Sequence, residues 1–535
     1  MGQVLKREIK KGDGVASENI HEQWLPSVNP WLITLAVMLA TFMEVLDTTI
    51  VTVAVPHIAG SLSASNDEAT WVLTSYLVSN AIILPASGWL AQYFGRKRFL
   101  ITCIIIFTIT SVVSGASTSL GMLVAARALQ GAGGGALQPL SQAILLESFP
   151  PEKRGMAMAA FALGVVVAPI AGPTLGGWLT DNYTWRWAFY INVPVGILAI
   201  LMIKMFVEDP PYIRNARPER IDFTGFGFMA LALAALQVVL DKGQQENWFS
   251  SSWITWFTVA SGVSFLVFII WELRAREPIV DLRVFKNRNF TVGTLLITLV
   301  GVALYSAITM IPLFLQTLMG YPALQSGLAV APRGAGALMM MPVVGYLTGR
   351  VDFRKLIAIG FFVVAISLWI ISGLTLETSV WNIAWPSVLT GAGLSMLFVP
   401  LATVAMGTLP QNEIGNASGV FNLMRNVGGS AGISLLVTYL ARHSQTNQAN
   451  LVYSLTPLDR VYSLRFRALQ EFFSRRVGPA QSFRQAQLFF YNSLLKQASL
   501  ISFVQGFRLL AIICLLCIAA AFLFKRVKPR QTPAH

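Results

Sequence analysis

The feature that most constrains this chain is a series of long apolar runs separated by polar segments. A bilayer core about 30 Å thick is spanned by about 20 apolar residues in a helix, and runs of this length recur throughout the sequence. Their continuity excludes the alternating pattern of a transmembrane barrel, and a charged fraction of 12% excludes an ordinary soluble domain. The sequence therefore predicts an all-α polytopic membrane protein. Fourteen runs are predicted to span the membrane: 31–56, 70–92, 99–117, 121–147, 156–179, 187–207, 222–241, 253–272, 291–316, 326–349, 355–374, 383–408, 415–441 and 500–525.

Lys and Arg are concentrated in alternate loops, and this asymmetry predicts the orientation of the chain. The loops that begin at Arg96, Lys153 and Arg350 are strongly basic, whereas the short loops between them hold few cations. Because cytoplasmic loops carry the excess of positive charge, both termini are expected in the cytoplasm. The net charge of +14 is then explained by loop anchors rather than by nucleic-acid binding.

A weak internal repeat predicts two related halves. Gly-rich segments at 88–98 and 345–355 each lead out of an apolar run into a short basic turn. Two halves around a midplane cavity are typical of transporters that work by rocking. The predicted divisions are a tail at 1–30, a six-helix bundle at 31–207, a linker with two inserted spans at 208–290, a second six-helix bundle at 291–526 and a tail at 527–535.

Residues 442–499 form a long, polar and basic segment on the predicted outer side. Apolar residues recur at helical spacing on either side of Gly478-Pro479, which predicts a hairpin of two helices that begins at Thr456-Pro457. Two interpretations stay open. The hairpin either rests on anionic lipid headgroups or docks a partner protein.

The first apolar run contains two carboxylates, Glu44 and Asp47, on one helical face. Ionisable groups inside a span are costly and usually mark a pathway or a proton relay. Two carboxylates this close do not both ionise easily, so the pair is a candidate for proton coupling. Arg127 lies at a similar depth in the fourth run and is the candidate partner of Asp47, although a position at the outer headgroups is the alternative.

Further polar residues inside the runs are candidates for a substrate cavity. In the fourth run they follow a 3.6-residue period, which predicts one polar stripe. The candidate cavity residues are Glu44, Asn80, Gln130, Gln138, Gln142, Gln316, Arg333, Asn422, Arg425 and Asn426.

The fifth run combines two prolines with a seam of small residues. Pro169 and Pro173 remove backbone donors and favour a kink, while Gly172, Gly176 and Gly177 permit close helix approach. The run is predicted to be a bending helix beside the central gate, and simple tight packing is the compatible alternative.

Motifs for other chemistries are missing from the sequence. It contains no Walker loop, so ATP-driven transport is not indicated. The four histidines are scattered and form no metal motif. Cys103, Cys514 and Cys517 all lie inside apolar runs, where packing is the expected role. We therefore expect neither an enzyme nor a cofactor.

Several motifs together resemble one transporter family. They are Leu46-Asp47 through Pro56, Arg127-Ala128-Leu129-Gln130-Gly131, Gly172-Pro173-Thr174-Leu175-Gly176-Gly177, Pro150 through Arg154, and Asp181 through Pro194. Over nearly its whole length the chain resembles the fourteen-span drug:proton antiporters of the major facilitator superfamily, the EmrB/QacA group, and within it the EmrB branch. The resemblance implies the major facilitator fold and export of amphipathic compounds in exchange for protons.

The resemblance also implies partners and residue roles. The EmrB branch implies a bacterial inner-membrane location, an EmrA-like periplasmic adaptor docked at 442–499, and an outer-membrane channel. It assigns proton coupling to Asp47 with Arg127, and a conformational hinge to Pro173 and its glycines. Gly88, Gly95 and Arg96 would form the cytoplasmic gating loop, in which Gln92 replaces the usual Asp and is expected to weaken a charged latch. The alternatives are an exporter of one endogenous metabolite, such as a siderophore or a fatty acid, and a receptor or scaffold that does not transport.

Overall fold

A computed structural model describes residues 26–210, 222–275, 278–348, 350–454 and 460–525, which are helical with short connections. The apolar runs fold as helices because a backbone in lipid must satisfy its hydrogen bonds internally. The α-helices are α1 (Pro30–Ser61), α2 (Asn66–Ala69), α3 (Trp71–Phe94), α4 (Arg96–Gly115), α5 (Leu120–Gly134), α6 (Leu137–Ser148), α7 (Arg154–Asn182), α8 (Trp187–Tyr190), α9 (Asn192–Phe206), α10 (Phe223–Lys242), α11 (Ser252–Arg274), α12 (Arg288–Thr317), α13 (Ala323–Val330), α14 (Pro332–Leu347), α15 (Phe353–Ile371), α16 (Trp381–Gly407), α17 (Gln411–Ser454), α18 (Arg460–Val477) and α19 (Pro479–Ala521).

Twelve helical segments of the described chain are long and apolar enough to cross a membrane. Two of the fourteen predicted spans are not among them. The run 121–147 is divided between α5 and α6, and the run 415–441 is the first part of the long helix α17. A polytopic helical membrane protein is confirmed, and the count of fourteen spans stays a prediction.

The break between α5 and α6 is a consequence of close packing on α3. A Cβ on Gly135 would lie 2.6 Å from the backbone oxygen of Asn80, and one on Gly131 would overlap the backbone of Tyr76. Glycines are therefore required for this approach, and their low helix propensity interrupts the helix at residues 135–136. The run predicted at 121–147 is thus helical in two pieces, and whether they cross the membrane as one span stays a prediction.

Helices α1–α9, here called the N-terminal half, meet α12–α19, the C-terminal half, chiefly along two helix pairs, with further contacts of α6 with α17 and of α7 with α13 and α16. Helix α3 packs against α17, and α7 packs against α14. A Cβ on Gly88 would lie 2.6 Å from the Gly415 carbonyl carbon, and one on Gly155 would lie 3.0 Å from the Gly345 oxygen. The halves are thus closed against each other at the end that carries the basic loops.

The inserted helix α10 contacts both halves, since it packs on α3 and on α17. Gln237 in α10 donates to Ser430 in α17 at 3.0 Å, and Trp248, just after α10, donates to Thr438 at 3.0 Å. Helix α10 is therefore part of the contact between the halves.

The predicted hairpin extends directly from the membrane helices. Helix α17 has 44 residues, and at 1.5 Å per residue it is about 66 Å long, more than twice the thickness of a bilayer core. Helix α18 packs on α19 through rings such as Tyr462 and Phe490, whose centroids are 5.3 Å apart, and Gly478 turns the chain with a φ of 82°. The run 500–525 and the helical pattern that precedes it form one helix rather than two. The start predicted at Thr456-Pro457 lies outside the described residues.

Candidate functional site

Asp47 lies at the centre of a buried polar network in the N-terminal half. Arg127 Nη1 is 2.6 Å from Asp47 Oδ2, and both side chains are fully buried. Gln130 Nε2 and Asn192 Nδ2 both donate to Asp47 Oδ1, at 3.0 and 2.7 Å. These donors come from α5 and α9, so one carboxylate joins α1 to two neighbouring helices.

The Arg127 guanidinium is held in this interior position by several groups. Its Nε donates to the backbone oxygen of Val72 at 3.2 Å, and its Nη1 donates to Gln130 Oε1 at 2.9 Å. Its carbon lies 4.2 Å from the ring centroid of Tyr76, in a cation–π arrangement. The alternative in which Arg127 extends to the outer headgroups is therefore wrong.

Glu44 lies one turn of α1 away from Asp47, and it faces the C-terminal half. Asn80 Nδ2 and the Tyr76 hydroxyl donate to Glu44 Oε1 at 3.2 and 3.4 Å, and Gln138 Nε2 donates to Glu44 Oε2. The oxygen of the same Gln138 amide accepts from Arg425 Nη2 of α17. A single amide thus links a buried carboxylate of one half to a buried guanidinium of the other.

A second polar contact between the halves lies next to this link. Gln142 Oε1 accepts from Asn422 Nδ2 at 2.6 Å and from the Ser418 hydroxyl at 3.2 Å, and Ser418 also donates to the Pro139 oxygen at 2.8 Å. The polar stripe predicted in the fourth run is therefore divided. Arg127 and Gln130, near the start of the run, contact Asp47, whereas Gln138 and Gln142, further along it, contact α17.

Helix α7 lies between α1 and the α13–α14 segment. A Cβ on Gly176 would lie 3.1 Å from the Ile50 oxygen, and one on Gly172 would overlap Thr49, two residues beyond Asp47. On another face, a Cβ on Gly327 would lie 3.4 Å from the Pro173 side chain. Gly177 has no such neighbour, because nothing lies within 4 Å of a Cβ built there. Helix α7, which includes Pro169, is thus in position to transmit a shift of α1 to the other half.

The loop after α3 is fixed by a buried ion pair. Arg96 donates through both terminal nitrogens to Glu147 at the end of α6, at 2.7 and 3.0 Å. Gly95 has a φ of 86°, which favours glycine, and it allows the turn that brings Arg96 back into the bundle. Gln92 is half-buried at the end of α3 near this turn.

Two candidate residues, Gln316 and Arg333, are placed apart from these networks, and a third, Asn426, borders the Glu44 link through Arg425. Gln316 is exposed at the end of α12, away from the Glu44 link. Asn426 accepts from Arg425, at 3.4 and 3.3 Å, and is half-buried. Arg333 is only 2% exposed, yet its Nε and Nη2 have no hydrogen-bond partner in the described structure.

Sequence reasoning did not assign a role to Asn192, Tyr76 or Ser418. A sequence signal could have identified Asn192, since it is a polar residue within the apolar run 187–207. Tyr76 and Ser418 carry no comparable signal, because such residues are common in membrane helices.

Comparison with known proteins agrees with the fold and identifies a family of transporters. Residues 37–433 match the family model of the Major Facilitator Superfamily. The chain is 39% identical over 435 residues to the multidrug export protein EmrB of Escherichia coli strain K12, covering 80% of this chain and 83% of that protein. It is 37% identical over 425 residues to the fatty acid resistance protein FarB of Neisseria gonorrhoeae, covering 79% and 83%.

A solved structure supports the fold independently. The human organic anion transporter MFSD10 (TETRAN) superimposes with a TM-score of 0.55 at 14% identity, over 91% of this chain and 99% of that one. At this identity the likeness concerns the fold alone. It confirms the predicted fold class, and the sequence matches confirm a transporter rather than an enzyme. The chain belongs to the Major Facilitator Superfamily, and within it to the EmrB-like transporters.

Proposed function

We propose that this protein exports amphipathic, structurally diverse small molecules across the membrane in exchange for protons. The observation that carries the proposal is the link from Glu44 through Gln138 to Arg425 at the contact between the two halves. A carboxylate in this position gains or loses a proton where the halves meet. The similarity to the multidrug export protein EmrB supports the same class of substrate.

In the proposed cycle, the proton on Glu44 controls the contact between the halves. The ionised carboxylate accepts from Gln138, Asn80 and Tyr76, and its negative charge balances Arg425. Protonation removes that charge and weakens the link, which favours separation of α6 from α17. Binding of a substrate that prefers the ionised form releases the proton. Each step is a population shift, limited by the difference in affinity between the two states.

Asp47 and Arg127 have a complementary role in this proposal. Their pair is enclosed within the N-terminal half, where it sets the position of α1 against α5 and α9. Proton uptake at Asp47 would release α1 from these neighbours. The shift would reach the other half through α7, with Pro169, Gly172, Pro173, Gly176 and Gly177 as the hinge. At the cytoplasmic end, Gly88, Gln92, Gly95 and Arg96 would form the gating loop.

The proposal is tested with purified protein in proteoliposomes. An imposed pH gradient is expected to drive accumulation of a fluorescent amphipathic cation, and addition of substrate is expected to release protons from the opposite side. Absence of substrate-dependent proton flux would contradict the proposal. A dedicated exporter of one fatty acid, for which the similarity to FarB is the supporting observation, would transport that acid and fail with dyes and detergents.

We also propose that the protein is the inner-membrane component of a tripartite pump, with both termini in the cytoplasm. An EmrA-like periplasmic adaptor would dock on the α17–α19 hairpin, and an outer-membrane channel would complete the path. The supporting observations are the basic loops at the closed end and the exposed apolar side chains Leu464, Phe472 and Phe489 on a hairpin that extends past the membrane. The alternative occupant of this surface is the outer lipid leaflet.

A deletion of residues 450–495, with the remaining ends joined by a short Gly-Ser linker, distinguishes adaptor docking from lipid contact. The residue pairs Ser444–Ser499 and Asn447–Ser502, which hold α17 to α19, lie outside the deleted segment. We expect transport in vesicles to persist, while drug resistance of cells and pull-down of the adaptor are lost. Adaptor binding that survives the deletion would leave lipid contact as the role of the hairpin.

A further inference from the structure

The C-terminal half contains buried positive charge without a carboxylate to match it. Its six predicted spans, from 291–316 to 500–525, include no Asp and no Glu. Two arginines of this half, Arg333 and Arg425, are each 2% exposed. A charged group in a span is costly unless another charge or a set of hydrogen bonds compensates for it.

The two arginines differ in how their charge is compensated. Arg425 reaches across to Gln138 and, through it, to the carboxylate of Glu44. Arg333 has no such link, and its Nε and Nη2 donate to no described group. The buried carboxylates of the other half are engaged elsewhere, since Asp47 is held by Arg127 and Glu147 by Arg96.

The two free nitrogens define a specific binding edge. Nε and Nη2 are adjacent on the guanidinium and point their N–H bonds in parallel. This fork is the one that binds a carboxylate bidentately, with geometry that a Lys ammonium does not reproduce. Two adjacent donors without a partner match a planar anion such as a carboxylate, whereas a single donor without a partner would not indicate one.

Arg333 lies on the most buried face of the segment α13–α14. Ser326, seven residues earlier, is on the same helical face, is fully buried, and also has a hydroxyl without a partner. This segment packs against α7 of the other half and against α16. The segment approaches α7 closely at Gly327, which lies beside Pro173. It approaches α16 closely at Gly336, where a Cβ would overlap the Val388 backbone. The unpartnered donors therefore lie beside the contact between the halves, where a rocking transporter opens its cavity.

We propose that Arg333 is the anion-recognition residue of the transport cavity, and that it binds the carboxylate of amphipathic weak acids. This inference rests on the proposed export function and names the residue that would recognise an acidic substrate. The acid group occupies the Nε–Nη2 fork, and Ser326 donates to the polar part of the ligand nearer the outer side. Glu44 and Arg333 then give one transporter two sites of opposite charge, one for cations and one for anions.

The test compares decanoate with decanamide, which has the same chain and no charge, by calorimetric titration of the purified protein in detergent. For Arg333→Gln we expect the Kd of decanoate to rise by at least about tenfold, as expected for loss of charge-assisted hydrogen bonds, and the Kd values of decanamide and of a cationic dye to stay unchanged. Arg333→Lys keeps the charge without the fork and should recover only part of the affinity. Arg508→Gln is the matched control, because it removes an exposed arginine of the same half that lies 5.9 Å from the Trp369 ring.

Several outcomes would overturn the assignment. They are equal weakening of acid, amide and dye, full decanoate affinity in Arg333→Gln, and failure of the unmodified protein to bind decanoate. Folding is followed through thermal unfolding, in which decanoate should raise the Tm of the unmodified protein and of Arg508→Gln but not of Arg333→Gln. The titrations use no pH gradient, so they test the Arg333 site separately from transport. If the unmodified protein binds decanoate but shows no proton-driven transport, the proposed function is refuted and the Arg333 site is retained.

Discussion

The substitution Asp47→Asn is expected to abolish export driven by a pH gradient in inverted vesicles. Asp47 accepts from three side chains, Arg127, Gln130 and Asn192, and it carries the only charge that faces the buried Arg127 among the described residues. Asparagine removes that charge and presents an amide N–H to groups that are themselves donors. The variant then has no titratable group at position 47, and α1 loses the contacts that fix its position against α5 and α9. The measurement is dye accumulation inside the inverted vesicles, driven by an imposed pH gradient that is acidic inside, compared with the unmodified protein.

Loss of activity in this variant has a second possible cause, since breaking a buried ion pair destabilises a protein by about 3–5 kcal/mol. The double variant Asp47→Asn with Arg127→Gln removes both charges together and separates the two causes. We expect it to fold and to exchange substrate down a concentration gradient, because that exchange needs no proton. We also expect it to show no coupled efflux. Full pH-driven efflux in the double variant would remove Asp47 from proton coupling and leave the pair a structural role.

The Asp47–Arg127 pair is the part of the site that sequence predicts well. A carboxylate and a guanidinium at matched depth in two apolar runs have few stable arrangements other than a pair, because each is costly alone. The third partner, Asn192, was not predictable to the same degree. Its contact with Asp47 depends on the rotation of α9 about its axis, which packing decides and which a neutral amide does not reveal.

The position of Glu44 shows where the sequence stops being informative. Its spacing from Asp47 placed it on the same face of α1, but the structure directs the two carboxylates to different neighbours. The link to Arg425 joins residues more than half the chain apart, so no local pattern encodes it. The division of the fourth run is a similar case, because the glycines that interrupt it are set by contact with α3.

The substitution Glu44→Gln is expected to eliminate the pH dependence of cation binding. If a cationic substrate displaces one proton from Glu44, linkage requires the Kd to fall about tenfold for each unit of pH increase while the group is protonated. Glutamine can still bond to Gln138 and Asn80, but it has neither a titratable proton nor a charge for the cation. The variant should therefore bind the cation weakly and with a flat pH profile, whereas binding of a neutral amphipath should change little.

Asp241→Asn provides the matched control for this prediction. Asp241 lies at the end of the inserted helix α10 and accepts from Thr74, so the same loss of one carboxylate occurs away from the Glu44 link. Its cation binding should keep the normal pH slope. If Glu44→Gln keeps that slope as well, Glu44 carries no coupled proton, and Asp47 becomes the sole candidate. If instead the slope is lost while cation and neutral affinities fall equally, Glu44 controls the contact between the halves without recognising the cation. That result would leave Arg333, as a site for anions, the one proposed residue that recognises the charge of a substrate.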